Sequence, residues 1–178
     1  MPQICQNIFF PGALIRYLEE TDLKDLAGDA LVLLINVFDD RTVKEASDAF
    51  VEKLIHSLTF IVDEGTLLAV ISILICILPY MEKNQAHNNI ILKEFIRPDR
   101  EDFYKGQIMQ LTNQGSAYRM DKCMQSIAVI MQNSDSEHFF NVNDIDLIVD
   151  IGIRALGDQN TSKTRVQVLR TLKKILDH

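Results

Sequence analysis

Apolar residues return every three or four positions along most of this chain, and short polar stretches separate the periodic runs. This spacing places the apolar side chains on one face of an α-helix. No set of segments shows the two-residue alternation expected of paired strands. The pattern therefore predicts an all-α protein with about eight or nine helices.

Paired helices recur at intervals of roughly 40 residues, which is typical of armadillo and HEAT repeats. We predict a single domain over residues 1–178, built as a right-handed armadillo/HEAT-like helical solenoid. The last helix is apolar as far as Leu176, although the outer face of a capping helix is normally polar. We therefore expect the natural protein to be longer, or its end to be covered by a partner. The predicted helices cover residues 4–20, 23–37, 42–62, 67–78, 90–96, 99–111, 118–131, 145–156 and 162–176.

Two local signals set the expected limits of the early helices. Thr42 and Glu45 have the spacing of a capping box, which predicts that the third helix begins there. The most apolar run, Leu67 to Leu78, is expected to stop at Pro79. A membrane span needs roughly 20 apolar residues, so we predict that this run is a buried core helix and that the chain has no membrane span.

The later helices have apolar stripes that predict their buried faces. Phe103, Ile108 and Leu111 are expected to point inward, and Phe139 and Phe140 are expected to join the core. Asn141, Asn143 and Asp144 precede the next run and are typical helix caps. Its predicted buried stripe is Ile145, Ile148, Val149, Gly152, Ile153 and Leu156. For the final helix the predicted stripe is Val166, Leu169, Leu172, Ile175 and Leu176. An ion pair between Asp150 and Arg154 is also expected from their four-residue spacing.

Charge and cysteine content narrow the class of protein. The formal net charge is −7, and no basic stripe with interleaved aromatic residues is visible, which argues against nucleic-acid binding. The three widely spaced cysteines are expected to be reduced thiols in a cytosolic protein. No cationic segment precedes the first apolar residues, so no signal peptide is expected.

Residues that would indicate catalysis or metal binding do not form recognisable motifs. The four histidines have no partner ligands at the spacing of a zinc site. Paired acidic residues stand at predicted helix ends, where capping and the helix dipole explain them. Phosphate-binding glycine loops and nucleophile motifs are lacking. We therefore predict a non-enzymatic protein-binding domain without a metal or cofactor.

The segment from Phe139 to Leu176 carries a recognisable pattern of apolar and polar positions. Its characteristic residues are Phe139, Phe140, Asn143, Asp144, Leu147, Ile148, Val149, Asp150, Ile151, Ile153, Arg154, Leu156, Asp158, Arg165, Leu169 and Leu172. This pattern resembles the leucine-rich, armadillo-like domain of the WISH/DIP family, which includes the Nck-interacting protein with a Src-homology-3 domain and its fungal relatives. Departures from the family pattern are Val142 and Gly152.

The resemblance implies a role in actin nucleation. Proteins of this family bind and activate the actin-related-protein 2/3 (Arp2/3) complex without a pre-existing filament, and the product is a linear seed filament. The implied location is the cytoplasm, at cortical actin. We predict that the partner contacts the helix 162–176 and the segment 139–158, because exposed cations there meet polar positions shared with the family. The predicted partner-binding residues are Asn143, Asp144, Arg154, Arg165, Arg170 and Lys173.

Three alternatives remain open at the level of sequence. One is a generic armadillo-type adaptor or scaffold with an unrelated protein partner, which would show a regular Asn or Trp ladder; the chain contains no Trp. Another is an enzyme on an all-helical scaffold, which would need a pocket with titratable groups in opposed environments. The last is that only the C-terminal half of the family domain is present, so that the chain binds without activating, or dimerises.

Overall fold

The protein is all-helical in its computed structural model, which describes residues 10–20, 31, 34, 38–39, 41–85, 88–114, 120–157 and 162–176. None of these residues lies in a strand, which confirms the all-α prediction. Two short 3₁₀ helices cover Thr42–Glu45 and Ser134–Ser136. The α-helices are α1 (Phe10–Glu20), α2 (Asp48–Ser57), α3 (Glu64–Gln85), α4 (Ile90–Phe95), α5 (Glu101–Asn113), α6 (Met120–Gln132), α7 (Val142–Gly157) and α8 (Ser162–Leu176).

Several sequence predictions fall outside the described residues. These are the start of the first predicted helix with Cys5, most of the predicted helix 23–37, the start of the predicted helix 118–131, the turn at 158–161 and the side chain of Leu176. Within that helix, Leu31 and Leu34 are described, and both are helical and buried.

The chain divides into two compact units, Met1–Tyr80 and Met81–His178. In the first unit, α1 packs against α2 and against the 3₁₀ helix Thr42–Glu45. The approach is close at Gly12, where a Cβ atom would collide with the carboxylate of Glu45. The Lys53 ammonium also donates to the backbone oxygen of Glu19 at 2.7 Å, which ties α2 to the end of α1.

The helix predicted to begin at Thr42 begins later and ends earlier than expected. The Thr42 amide and hydroxyl both donate to Asp39 Oδ1, at 2.9 and 3.0 Å, so Asp39 holds a short 3₁₀ turn. Extended backbone at Ala46 interrupts the helical conformation. Ser47 then caps α2 by accepting a hydrogen bond from the Phe50 amide at 3.0 Å. Because Ser is a preferred N-cap residue, this second start replaces the predicted capping box.

Helix α3 continues through Pro79, where the sequence predicted its end. A proline inside a helix costs about 3 kcal/mol. Burial of the preceding turns offsets this cost, because every residue from Leu68 to Leu78 is buried.

Among the described residues, α3 is the one helix long and apolar enough to cross a membrane. A helix buried around its whole circumference is also the usual core helix of a globular domain. The burial of Leu68 to Leu78 within the protein follows that second pattern. It supports the prediction that this run is a buried core helix.

In the second unit, four helices pack as two stacked pairs. Helix α5 contacts α6 and α7, and α8 contacts α6 and α7. Each helix therefore touches its sequence neighbour and its equivalent in the other pair, which is the packing of helical-repeat proteins. This arrangement fits the predicted solenoid, whereas the right-handed solenoid and the single domain over the whole chain stay predictions.

The junction between α4 and α5 is held by a buried polar cluster around Glu94. The Tyr104 hydroxyl donates to Glu94 Oε1 at 2.8 Å, and Arg97 Nη1 donates to Glu94 Oε2 at 3.1 Å. Burial, followed by the hydrogen bond to Glu94, raises the pKa of Tyr104 to about 12. The predicted inward position of Phe103 is wrong, since Phe103 is 41% exposed and Tyr104 is fully buried. The carboxylate of Glu94 makes this possible, because it satisfies the hydroxyl that Tyr104 carries into the core.

Two cysteines lie in the interior as reduced thiols. Cys76 belongs to the first unit and Cys123 to the second. Their exposed fractions are 3% and 1%. Both therefore behave as small apolar side chains within the packed core.

Candidate partner-binding surface

Helix α7 begins with a reciprocal pair of hydrogen bonds. Asn141 Oδ1 accepts from the Asp144 amide, and Asp144 Oδ2 accepts from the Asn141 amide, both at 3.0 Å. This is the geometry of a capping box, with Asn141 at the N-cap. Lys105 on α5 lies 3.8 Å from the same Asp144 carboxylate oxygen. Asp144 thus fixes both the start of α7 and its position beside α5.

Helices α7 and α8 approach most closely at Gly152. A Cβ atom at this position would lie 3.1 Å from Leu172 Cδ2 and 3.3 Å from Val168 Cγ1. Ile148, Ile151 and Ala155 form the rest of the buried face of α7. The buried position predicted for Ile153 is wrong, since Ile153 is 58% exposed. It follows Gly152 by about 100° of helical rotation and so turns away from α8.

The orientation of α8 differs from the one its apolar stripe predicted. Val168 and Thr171 are fully buried, whereas Val166 and Leu169 are 45% and 54% exposed. Thr171 Oγ1 donates to the backbone oxygen of Met124 on α6 at 2.9 Å. This hydrogen bond lets a polar residue take a core position, and the helix places the predicted core residues Val166 and Leu169 at the surface.

Helices α7 and α8 each leave an apolar residue exposed directly after a contacting residue. Ile153 follows Gly152 and Leu169 follows Val168 by one position each, and both side chains are more than half exposed. The other exposed residues of α8 recur at one-, three- and four-residue steps, which keeps them on one helix face. We call this set of exposed residues the α7–α8 face; it consists of Ile153, Arg165, Val166, Leu169, Arg170 and Lys173.

The α7–α8 face combines apolar side chains with positive charge on an acidic protein. It carries three cations, although the chain has a formal net charge of −7. Two exposed carboxylates, Asp146 and Asp150, lie on the outward side of α7. The surface can therefore bury apolar area against a partner while its α8 side attracts acidic groups.

Five of the six predicted partner-binding residues are exposed, and Asp144 is partly buried. Asp144 is engaged in the helix cap, and Arg154 donates to Asn113 Oδ1 on α5 at 3.1 Å instead of pairing with Asp150. Sequence reasoning missed the exposed apolar residues of the face. Gly152 was the available signal, because a small residue marks the close contact that sets the rotation of both helices.

Groups suited to metal binding do not converge in the part of the chain that the structure describes, where no three His, Cys, Asp or Glu side chains cluster. The absence of a cofactor and of enzymatic activity stay predictions.

The described residues are helical and none lies in a strand, which places the protein in the all-α class. A family model for the SPIN90/Ldb17 leucine-rich domain matches residues 63–178, which is more than half of the chain. The chain belongs to this family, which is associated with actin regulation, and the resemblance seen in the sequence is confirmed. The match begins near the start of α3, well before the segment that carried the resemblance. No curated protein and no solved structure matches the chain.

Proposed function

We propose that this chain is a non-enzymatic regulator that binds the Arp2/3 complex and activates it to seed linear actin filaments. Membership of the SPIN90/Ldb17 family supplies the link to actin regulation. The observation that carries the proposed binding site is the α7–α8 face, where exposed Val166 and Leu169 lie among three cations. The proposed location is the cytoplasm, at cortical actin.

Binding energy at this face would come mainly from its apolar side chains. Fully burying an aliphatic side chain of this size contributes about 1.5–3 kcal/mol. Ile153 and Leu169 are each more than half exposed, so most of that contribution is still available to a partner. Arg165, Arg170 and Lys173 surround the apolar positions and favour an acidic partner surface, chiefly by raising the rate of association.

Activation would follow from binding the filament-like arrangement of the Arp2/3 complex more tightly than its inactive arrangement. A ligand shifts such an equilibrium only by its difference in affinity for the two states. A tenfold shift requires a difference of about 1.4 kcal/mol, which is less than one fully buried Leu contributes. Because no filament takes part in this step, the product would be an unbranched seed.

The test is an actin-assembly assay with fluorescent actin monomers, the Arp2/3 complex and the purified chain, without another activator. Filament shape is recorded by microscopy, and binding is measured by pull-down of the complex. The test variant combines Arg165→Glu, Arg170→Glu and Lys173→Glu. The matched control combines Arg16→Glu, Lys44→Glu and Lys83→Glu, which makes the same change in net charge at three exposed positions outside α7 and α8.

We expect the wild-type chain and the control variant to accelerate assembly only when the complex is present, with unbranched filaments. The test variant should lose both acceleration and pull-down while keeping its helical circular-dichroism signal. Equal loss in the two variants would mean that net charge, and not the α7–α8 face, determines binding. If the wild-type chain neither accelerates assembly nor retains the complex, the Arp2/3 proposal is wrong.

A further inference from the structure

A cleft in the second unit is lined by none of the residues of the α7–α8 face. It opens between the C-terminal ends of α6 and α8 and the loop that joins α6 to α7, and its volume is about 280 Å³. Met131, Phe140, Ile145 and Ile175 form its apolar lining. Glu137 and His138 stand at its rim, where both are exposed.

The wall formed by the connecting loop is fixed by hydrogen bonds within the loop. The Ser136 hydroxyl donates to the backbone oxygens of Ile130 and Asn133, the latter at 2.9 Å. The Phe139 amide donates to the Ser136 backbone oxygen at 3.0 Å. The rings of Phe139 and Phe140 pack edge to face, with their centroids 4.8 Å apart. The cleft is therefore already formed, and a ligand would not need to order this wall.

The size and lining of the cleft select one apolar side chain. Pockets that bind drug-sized molecules measure about 300–1,000 Å³, whereas an apolar cavity of about 150 Å³ holds a benzene ring. A single aromatic side chain thus fits the available space with part of its backbone. The Met131 thioether and the Phe140 ring favour an aromatic group, because sulfur–aromatic and edge-to-face contacts add to burial.

The rim adds a preference for positive charge. Glu137 lies at the rim, and Asp135 is exposed two residues before it. Lys174 on α8 directly precedes the lining residue Ile175, but its ammonium group donates to Gln132 Oε1 at 2.8 Å. A ligand that places a cation beside its aromatic group would therefore complement the Glu137 carboxylate.

We infer that this cleft binds an extended peptide segment of a partner protein, which inserts one aromatic side chain and pairs an adjacent Arg or Lys with Glu137. The site is independent of the proposed actin function. It would let the domain hold a linear motif while the α7–α8 face stays available.

Methyl spectra of the whole chain, labelled with ¹³C at Met and Ile methyl groups, test this inference. The probes are acetyl-Phe-Arg-amide, acetyl-Phe-Glu-amide and acetyl-Ala-Arg-amide. Acetyl-Phe-Arg-amide should shift the Met131, Ile145 and Ile175 methyl signals saturably at millimolar concentration, with the Ile108 signal in the α5 core unchanged. Acetyl-Phe-Glu-amide should bind roughly threefold or more weakly, and acetyl-Ala-Arg-amide should cause no saturable shift.

Two variants separate the apolar and the charged parts of the site. Glu137→Gln should bring the affinities for the Arg and Glu probes together while retaining the binding of Phe. Ile145→Trp, at a half-buried lining position, should fill the cleft and abolish binding. The inference is overturned if no probe shifts these methyl groups at about 10 mM, or if the preference for the Arg probe survives in Glu137→Gln. Dispersed methyl signals in each variant establish that it is folded.

Discussion

Helices α3 and α8 use apolar residues in opposite ways. In α3, all residues from Leu68 to Leu78 are buried, including Ser72, whose hydroxyl donates to the Leu68 oxygen at 2.6 Å. In α8, a narrow stripe is buried while Val166 and Leu169 remain at the surface. The comparison indicates that α3 mainly stabilises the fold, whereas the outward side of α8 is available for a partner. Substitutions in the two helices should therefore change different quantities.

The largest effect on stability is expected in α3. Leu74→Ala removes a fully buried side chain and should lower the free energy of unfolding by about 2–5 kcal/mol, through lost burial and a new cavity. Urea unfolding followed by circular dichroism measures this change. Val62→Ala, at a residue that is 97% exposed, should stay within about 0.5 kcal/mol of wild type. Similar midpoints for the two variants would contradict the core role of α3.

The next largest effect on stability is expected at alkaline pH, which should weaken the buried cluster around Tyr104. The pKa of Tyr104 is raised from 10.0 to about 12 by burial and then by Glu94, so the unfolded chain gives up this proton first. The stabilisation is complete below pH 10 and is lost as pH rises through 12, with a total of about 2–3 kcal/mol. Tyr104→Phe lacks this titration, so the difference in unfolding free energy between the two proteins should narrow over that range. Parallel pH curves would show that Tyr104 does not contribute.

A side chain at Gly152 should disturb the contact on which the α7–α8 face depends. Gly152→Val places methyl groups against Leu172 and Val168 and should cost about 1–3 kcal/mol by overpacking. Gly157→Val is the matched control, because a Cβ there meets no atom within 4 Å. Thermal unfolding of both variants gives the comparison. An equal loss of stability would assign the effect to helix propensity and not to the α7–α8 contact.

The smallest effect on stability is expected at the exposed apolar residues of α8. Leu169→Ser should change the free energy of unfolding by about 0.5 kcal/mol or less, because Leu169 is 54% exposed. The same substitution should weaken retention of the Arp2/3 complex in the pull-down assay. A loss of stability as large as that of Leu74→Ala would mean that Leu169 belongs to the core.

The sequence predicted the helical class because periodicity depends only on local spacing. The bounds were harder to predict where two signals competed. Thr42 and Ser47 both resemble helix caps, and only the extended backbone at Ala46 decides between them. Pro79 is a strong stop signal by itself, but burial of the run from Leu68 to Leu78 outweighs its local cost.

The rotation of the last two helices was beyond the reach of periodicity alone. Helix α8 contains more apolar residues than one buried stripe can hold, so two faces fit the pattern about equally well. The choice depends on tertiary contacts, namely the hydrogen bond from Thr171 to Met124 and the space left by Gly152. The cations of the surface were predicted because charged side chains are rarely buried, whereas its exposed apolar residues were not.

The two buried cysteines make it possible to measure how often each compact unit opens. A thiol with almost no exposed surface reacts with a labelling reagent only after the surrounding structure opens. In a Cys5→Ser background, the modification rates of Cys76 and Cys123 would report how often the first and the second unit open. Equal rates would indicate one cooperative opening, and unequal rates would show which unit is kinetically more labile.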